Sequence, residues 1–152
     1  GSGYSRNALA RGPQTDGNQT LYAVGGLGGA HMRGHAFIYS VLDPNDDAIQ
    51  TESHHMTLSS VVAQVDVPRG SLRAVTWTKS ASGSNALALG AEYGQSILLF
   101  DVQAQAEVIS APVKSDIFTL SSTDRHWGSS FCLLAGGRSG ISVLVDPRGG
   151  SK

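Results

Sequence analysis

The chain has 152 residues, 40% of them hydrophobic, with eleven Lys and Arg against twelve Asp and Glu for a formal net charge of -1. That length suits one domain, and a near-neutral balance with scattered basic residues excludes a general nucleic-acid binder that tracks phosphates. Cys132 is the only cysteine, which excludes an intrachain disulfide and a Cys-based zinc site and favours an intracellular compartment; no apolar run approaches the ~20 residues of a membrane span.

Residues 1–20 (GSGYSRNALARGPQTDGNQT) sustain no hydrophobic period, so a flexible lead-in is expected there. Strand signals begin at Leu21. The first is 21–26 (LYAVGG) and the second 35–42 (HAFIYSVL), where Ala36, Ile38, Ser40 and Leu42 share one face. Between them, GGLGGAHMRG has the glycines of a phosphate loop but not the spacing, and strand follows it where a phosphate site needs a helix N-terminus. A hairpin loop is expected instead. His31 and His35 are four apart, which aligns residues on a helix but means little across Gly34, so both are expected at the surface or at a strand start.

After DPNDDAIQTESHHMT comes SSVVAQVDVP, where Val61, Ala63, Val65 and Val67 alternate with Val62, Gln64 and Asp66. Leu58, Val61, Val62 and Val65 also fit a helical period, but four valines in seven residues with Pro68 following favour a strand. The remainder of the chain repeats itself. Residues 85–103 (NALALGAEYGQSILLFDVQ) and 131–148 (FCLLAGGRSGISVLVDPR) share one plan: an apolar run, a turn bounded by Gly90/Gly94 or Gly136/Gly140, a second apolar run and then Asp. Each reads as a β-hairpin, and 21–43 is a looser third copy. Leu72, Val75 and Asp101 recur as Ile117, Leu120 and Asp146, each 45 residues later, while Pro68 and Ser71 recur as Pro112 and Ser115, 44 residues later.

A period of about 40–45 residues with four strands per unit marks a WD-type propeller blade. The fold class expected is therefore all-β: antiparallel four-stranded meanders in a partial propeller over 21–148, with a short tail at 149–152. Asp43 to Asp101 spans 58 residues, 13 too many, and the excess is assigned to an insertion at 44–59 in the third-to-fourth-strand hairpin of the first blade. That blade keeps its second, third and fourth strands. The second blade has strands at 72–78, 85–90, 96–102 and 106–111, and the third at 116–121, 131–136 and 141–145. Leu87, Leu89, Leu98 and Phe100 are expected in the core. About two and a half blades cannot close a ring that typically needs at least four. The chain is thus expected to be part of a larger propeller, or to self-associate through its unpaired edges.

The endings LD, FD and VD and the turns GAEYG and GRSG resemble the WD-repeat family over 21–148. The match departs from the family pattern: Leu42, Phe100 and Val145 stand where that family usually has Trp, and no Gly-His dipeptide precedes a first strand. Val145-Asp146-Pro147-Arg148 resembles the Asp-x-Arg box of substrate receptors for cullin-RING ubiquitin ligases, and LLAGGRSGISVLVDPR is similar to the corresponding blade of one such receptor group. The resemblance implies that Arg148, beside the strand-ending Asp146, helps present the blade to the ligase adaptor. Asp43-Pro44-Asn45 and Asp101-Val102-Gln103 lack the Arg.

Two further groups bear on function. The inserted loop gathers Asp46, Asp47, Glu52, His54 and His55, which reads as a solvated rim loop or as a metal-binding or hydrolytic cluster over 46–55. Arg125-His126-Trp127 offers an anchor for a protein contact, or a Trp folded back over the blade edge. Ser, His and Asp lie in no nucleophile motif, and Cys132 opens a strand as a small hydrophobe. The reading is a non-enzymatic protein-interaction platform without a cofactor, its partners other proteins met through Arg148, Asp146, Trp127, Arg125, His54 and His55. The alternatives are the metal or hydrolytic domain and a general scaffold of another complex.

Overall fold

The computed structural model describes residues 6–15, 17–42, 59–80, 82–93, 96–113, 115–123, 132–138, 140 and 142–145. Among these the chain is all-β, with three antiparallel sheets and no helix; none is therefore long and apolar enough to cross a membrane. The first sheet runs β1 (Arg6–Thr15), β2 (Gln19–Gly26), β3 (Gly34–Leu42) and β4 (Ser59–Val67). The second holds β5 (Leu72–Lys79), β6 (Asn85–Ala91), β7 (Ser96–Asp101) and β8 (Ala106–Pro112). The third holds β9 (Ile117–Thr123), β10 (Cys132–Gly137) and β11 (Ser142–Val145). In each sheet, neighbours in sequence are neighbours in space.

β1 corrects the expectation of a lead-in. It pairs along β2 from Arg6↔Gly26 to Thr15↔Gln19, so the first sheet has four strands, not three. Its sequence hides this because Gly12-Pro13 looks like a break. Both residues fall within the register shift between Arg11 and Gln14, where a proline without an N–H costs no ladder bond. The ten other strands lie where sequence spacing puts them, to within two residues at either end. The long connection also falls where expected, between β3 and β4, which pair with each other. Residues 43–58 themselves lie outside those described.

Burial follows the pleat. In β4, Ala63, Val65 and Val67 are buried while Gln64 and Asp66 are exposed, the period of two that a half-covered sheet demands. β6 has no polar face because the second sheet is covered on both sides. Leu87 and Leu89 join Ile38, Val65 and Phe100 in the core against the first sheet, whereas Ala86 and Ala88 join Leu99, Ile117 and Leu133 in the core against the third. Leu98, expected to be buried, is only partly so and packs at the edge of the first core; Leu99, one residue on, is the buried neighbour.

The sheets stack face to face in chain order. β5 lies against β1, β2 and β3, and β9 lies against β5 and β6. Leading strands are tied across each gap: Trp77 Nε1 donates to the Ala10 carbonyl at 3.2 Å, and Ser122 Oγ donates to the Trp77 carbonyl at 2.6 Å. Trp77 and Ser122 are 45 residues apart, one repeat, so successive sheets use one position for the same task. Among the described residues the stack is not closed.

Candidate functional site

One end of the stack carries the β2–β3 loop, the β4–β5 link, the β6–β7 turn and the β10–β11 turn, and these connect into a continuous strip. Gly29 and Met32 exchange backbone hydrogen bonds of 3.0 and 3.2 Å, closing the β2–β3 loop on itself. The Gly70 amide donates to the Gly29 carbonyl at 2.8 Å, and Ser71 Oγ donates to the Gly28 carbonyl at 2.9 Å. The glycines of this loop therefore serve close backbone packing, not phosphate. Gly70 has φ +94°, and a Cβ on Gly28 would fall on the Gly70 carbonyl oxygen. With its backbone satisfied, the loop leaves Leu27 and Met32 exposed.

The strip continues across the second and third sheets. Arg69 Nε donates to the Tyr93 carbonyl at 3.1 Å, and the Glu92 amide donates to the Ser71 carbonyl at 3.0 Å. The Glu92 carboxylate accepts from Arg138 Nη2 at 3.1 Å and lies 3.4 Å from Arg73 Nε, while Arg138 Nε sits 3.0 Å from Asp116 Oδ2. Both guanidinium carbons lie over the Phe118 ring, 5.5 Å (Arg73) and 5.2 Å (Arg138) from its centroid, within cation–π range. Glu92 and Asp116 are largely buried, whereas half or more of each arginine side chain faces solvent. The carboxylates thus hold two guanidinium groups against an aromatic ring. Arg, Tyr and Met are among the residues enriched at protein interfaces.

At one margin of this end, His35 Nδ1 and Asp66 Oδ1 are 2.6 Å apart, with Gln64 Nε2 donating to the same oxygen at 2.9 Å. The His35 hydrogen bond, then that of Gln64, holds the Asp66 carboxyl below the usual aspartate range. His35 is the second residue of β3, as expected of a strand-start histidine, and His31 is exposed.

At the opposite end, Asp101 shows what a strand-ending Asp does here. Buried at the close of β7, it accepts from Ser84 Oγ at 2.6 Å and from the Ala104 amide at 3.0 Å. It therefore serves its local turn and also ties down the β5–β6 turn. Those bonds, Ser84 first, hold its carboxyl below the ordinary range against the opposing effect of burial. A groove of about 490 Å³ opens beside it between the first two sheets, bordered by polar Gln19, Ser40 and Lys79 and apolar Leu21, Val62 and Val102.

The residues singled out from sequence, Arg125, Trp127, Asp146, Arg148, His54 and His55, all lie outside the described residues, as do Asp46, Asp47 and Glu52. Cys132 opens β10 as expected, but its side chain is also outside them. Among the described residues, no three His, Cys, Asp or Glu side chains are grouped to hold a metal ion. Sequence reasoning missed the Arg73–Phe118–Arg138 group, although the repeat carried a signal. Arg73 and Phe118 are 45 residues apart, and Glu92 and Arg138 are 46 apart, so residues one repeat apart meet across a sheet boundary. No protein-family model matches the chain, and comparison with curated proteins finds no match.

Proposed function

We propose that this chain is a protein-interaction platform of β-propeller type whose contact surface is the strip from Leu27 and Met32 through Tyr93 to Arg73, Phe118 and Arg138. The observation that carries the reading is the continuity of that strip over three sheets: each turn is hydrogen-bonded to the next, leaving arginine and apolar side chains outward on a rigid base. Rigid sheets presenting adjacent turns are how such scaffolds act, by proximity and without chemistry of their own. Chain-order meanders stacked face to face, with leading strands tied side by side, support the propeller type.

Within that reading, the Asp146-Pro147-Arg148 resemblance favours a substrate receptor of a cullin-RING ubiquitin ligase over a scaffold of another complex. The strip would then meet the substrate and Arg148 the adaptor. Two variants test this in affinity purification from cells, with Arg73→Ala/Arg138→Ala altering the strip and Arg148→Ala the box. The expected result is that the first loses one set of partners while keeping the ligase adaptor, and the second loses the adaptor alone. Recovery of the same partners by both variants would overturn the surface assignment, and no adaptor with the unaltered chain would remove the ligase reading.

A further inference from the structure

We infer that the strip binds an acidic segment of a partner protein, whose Asp and Glu carboxylates meet the guanidinium groups of Arg33, Arg69, Arg73 and Arg138. The inference rests on the strip being a contact surface, as proposed above, and on neither the propeller type nor the ligase reading. Its basis is how the chain divides charge between the two ends of its sheets. Neighbouring strands are antiparallel, so successive connections alternate between the ends. Those at the strip end, 27–33, 68–71, 92–95, 113–116 and 138–141, carry in sequence Arg33, Arg69, Lys114 and Arg138 against Glu92 and Asp116. Those at the other end, 16–18, 43–58, 80–84, 102–105 and 124–131, carry in sequence Asp16, Asp43, Asp46, Asp47, Glu52 and Asp124 against Arg125. A chain with a formal net charge of -1 thus concentrates its positive charge at one end.

Within the strip the two signs are also sorted by depth. The Glu92 and Asp116 side chains are each 15% exposed, whereas those of Arg73 and Arg138 are 50% and 60% exposed. Arg33 and Arg69 are exposed as well, and Arg69 is steered by its bond to the Tyr93 carbonyl. A partner therefore meets more cation than anion. A guanidinium carries five N–H donors in one plane. Glu92 lies against Nε of Arg73, and Glu92 and Asp116 engage Nη2 and Nε of Arg138. These pairs and the Phe118 ring fix both groups before a partner arrives, so binding costs little ordering of their side chains. The buried acids also choose among anions. Glu92, Asp116 and, at the margin, Asp66 interrupt the arginines, which opposes a continuous row of phosphates or an anionic membrane surface. A peptide can place its carboxylates at separate points, as separate guanidinium groups require. Leu27, Met32 and Tyr93, exposed on the same strip, offer contact to apolar residues between those carboxylates.

The test is selection of peptides from a random display library on the full chain, followed by fluorescence anisotropy with the selected peptide. Selection is expected to enrich Asp and Glu. The synthetic peptide should bind in the micromolar range and weaken as salt is raised. Replacing its acids by Asn and Gln should weaken binding by about tenfold or more. Arg73→Glu/Arg138→Glu should do the same from the other side. Arg33→Glu/Arg69→Glu leaves the Glu92 and Asp116 pairs in place, so it should weaken binding with unchanged circular dichroism even where the first variant unfolds. Lys79→Glu, at the opposite end, should bind as the unaltered chain does. Enrichment of Lys, Arg or apolar residues alone, no enrichment, equal binding of the neutral peptide, or tighter binding of single-stranded RNA or phosphatidylserine vesicles would each overturn the inference. So would peptide binding that survives both arginine variants. Partner recovery with Arg73→Ala/Arg138→Ala is read separately: partners lost there without acidic selection would leave the strip standing and remove only its acidic ligand.

Discussion

The two junctions between sheets are built from different materials. The first joins large side chains, with Leu21, Ile38 and Val65 against Leu72, Leu87, Leu89 and Phe100, and its polar ties are neutral: Trp77 to the Ala10 carbonyl and Ser71 to Gly28. The second sets Ala74, Ala86, Ala88 and Gly90, together with Ile97 and Leu99, against Ile117 and Leu133, and adds a charged tie from Arg138 to Glu92. Among the described residues the second junction has the smaller buried cluster, nine residues against twelve. Both junctions are thus held mainly by the hydrophobic effect, and the second adds a solvent-facing ion pair.

The largest expected effect lies in the first junction. Leu87 is fully buried there, and Leu87→Ala should lower stability by about 2–5 kcal/mol in urea unfolding, the usual cost of core truncation. Leu144→Ala, at an exposed position, should change it by less than about 0.5 kcal/mol. Equal losses at the two sites would break the distinction between covered and uncovered faces.

A glycine at each junction sharpens the contrast. A Cβ at Gly28 would strike the Gly70 carbonyl, which is backbone and cannot give way, whereas a Cβ at Gly90 would strike the Ile117 side chain. Gly28→Ala and Gly90→Ala should each cost about 1–3 kcal/mol, the range for overpacking. Ile117→Ala should offset part of the loss from Gly90→Ala and none of that from Gly28→Ala, a coupling that a double-mutant cycle measures. Additive losses at Gly90 and Ile117 would mean that the second junction is looser than described.

How far the sequence could be read follows from these materials. Strands β2 to β11 were legible because covered sheets impose period-two patterns or unbroken apolar runs such as NALALGA in β6. β1 was not, because an edge strand exposes Leu9 and tolerates Pro13 at a register shift, so neither alternation nor propensity marks it. The site was illegible for a different reason. Arg73, Glu92, Phe118 and Arg138 lie on four separate elements, and only the sheet stacking brings them together. A repeat register predicts which positions meet, but not that an arginine and a phenylalanine at those positions form a surface.

Asp101 belongs to neither junction core and serves as a control within the second sheet. Asp101→Asn keeps the shape but removes the charge that strengthens the bonds from Ser84 and Ala104, and should cost about 1–2 kcal/mol at neutral pH. The pH dependence has a fixed sign. Because the folded carboxyl sits below its ordinary value of 3.8, its contribution is complete above that value and is lost as pH falls through the lower folded one. Asp66, also held low, acts in the same window, so only the difference between the unaltered chain and Asp101→Asn isolates this site. That difference should shrink below pH ~4. A difference that stayed constant down to pH ~2 would show that the loss of an acceptor oxygen, which Asn replaces with an NH2 donor, and not the loss of charge, loosens the turn.

A small effect is the most specific to the second junction. Arg138 is more than half exposed, and Arg138→Gln should lower stability by only about 0.2–1 kcal/mol, the usual worth of a solvent-facing ion pair. Its signature is salt dependence. Raising ionic strength from about 0.01 to 1 M shortens the screening length from roughly 30 to 3 Å, so the loss on Arg138→Gln should fade with salt. The loss on Leu87→Ala should not fade, because apolar burial carries no charge. Phe118→Leu separates the two roles of the guanidinium. It keeps the Glu92 and Asp116 pairs but removes the ring beneath both arginines, so whatever stability it loses should persist at high salt less any cation–π share. An Arg138→Gln loss unchanged by salt would place the arginine's value in packing over Phe118, and the second junction would then be held, like the first, by buried apolar contact alone.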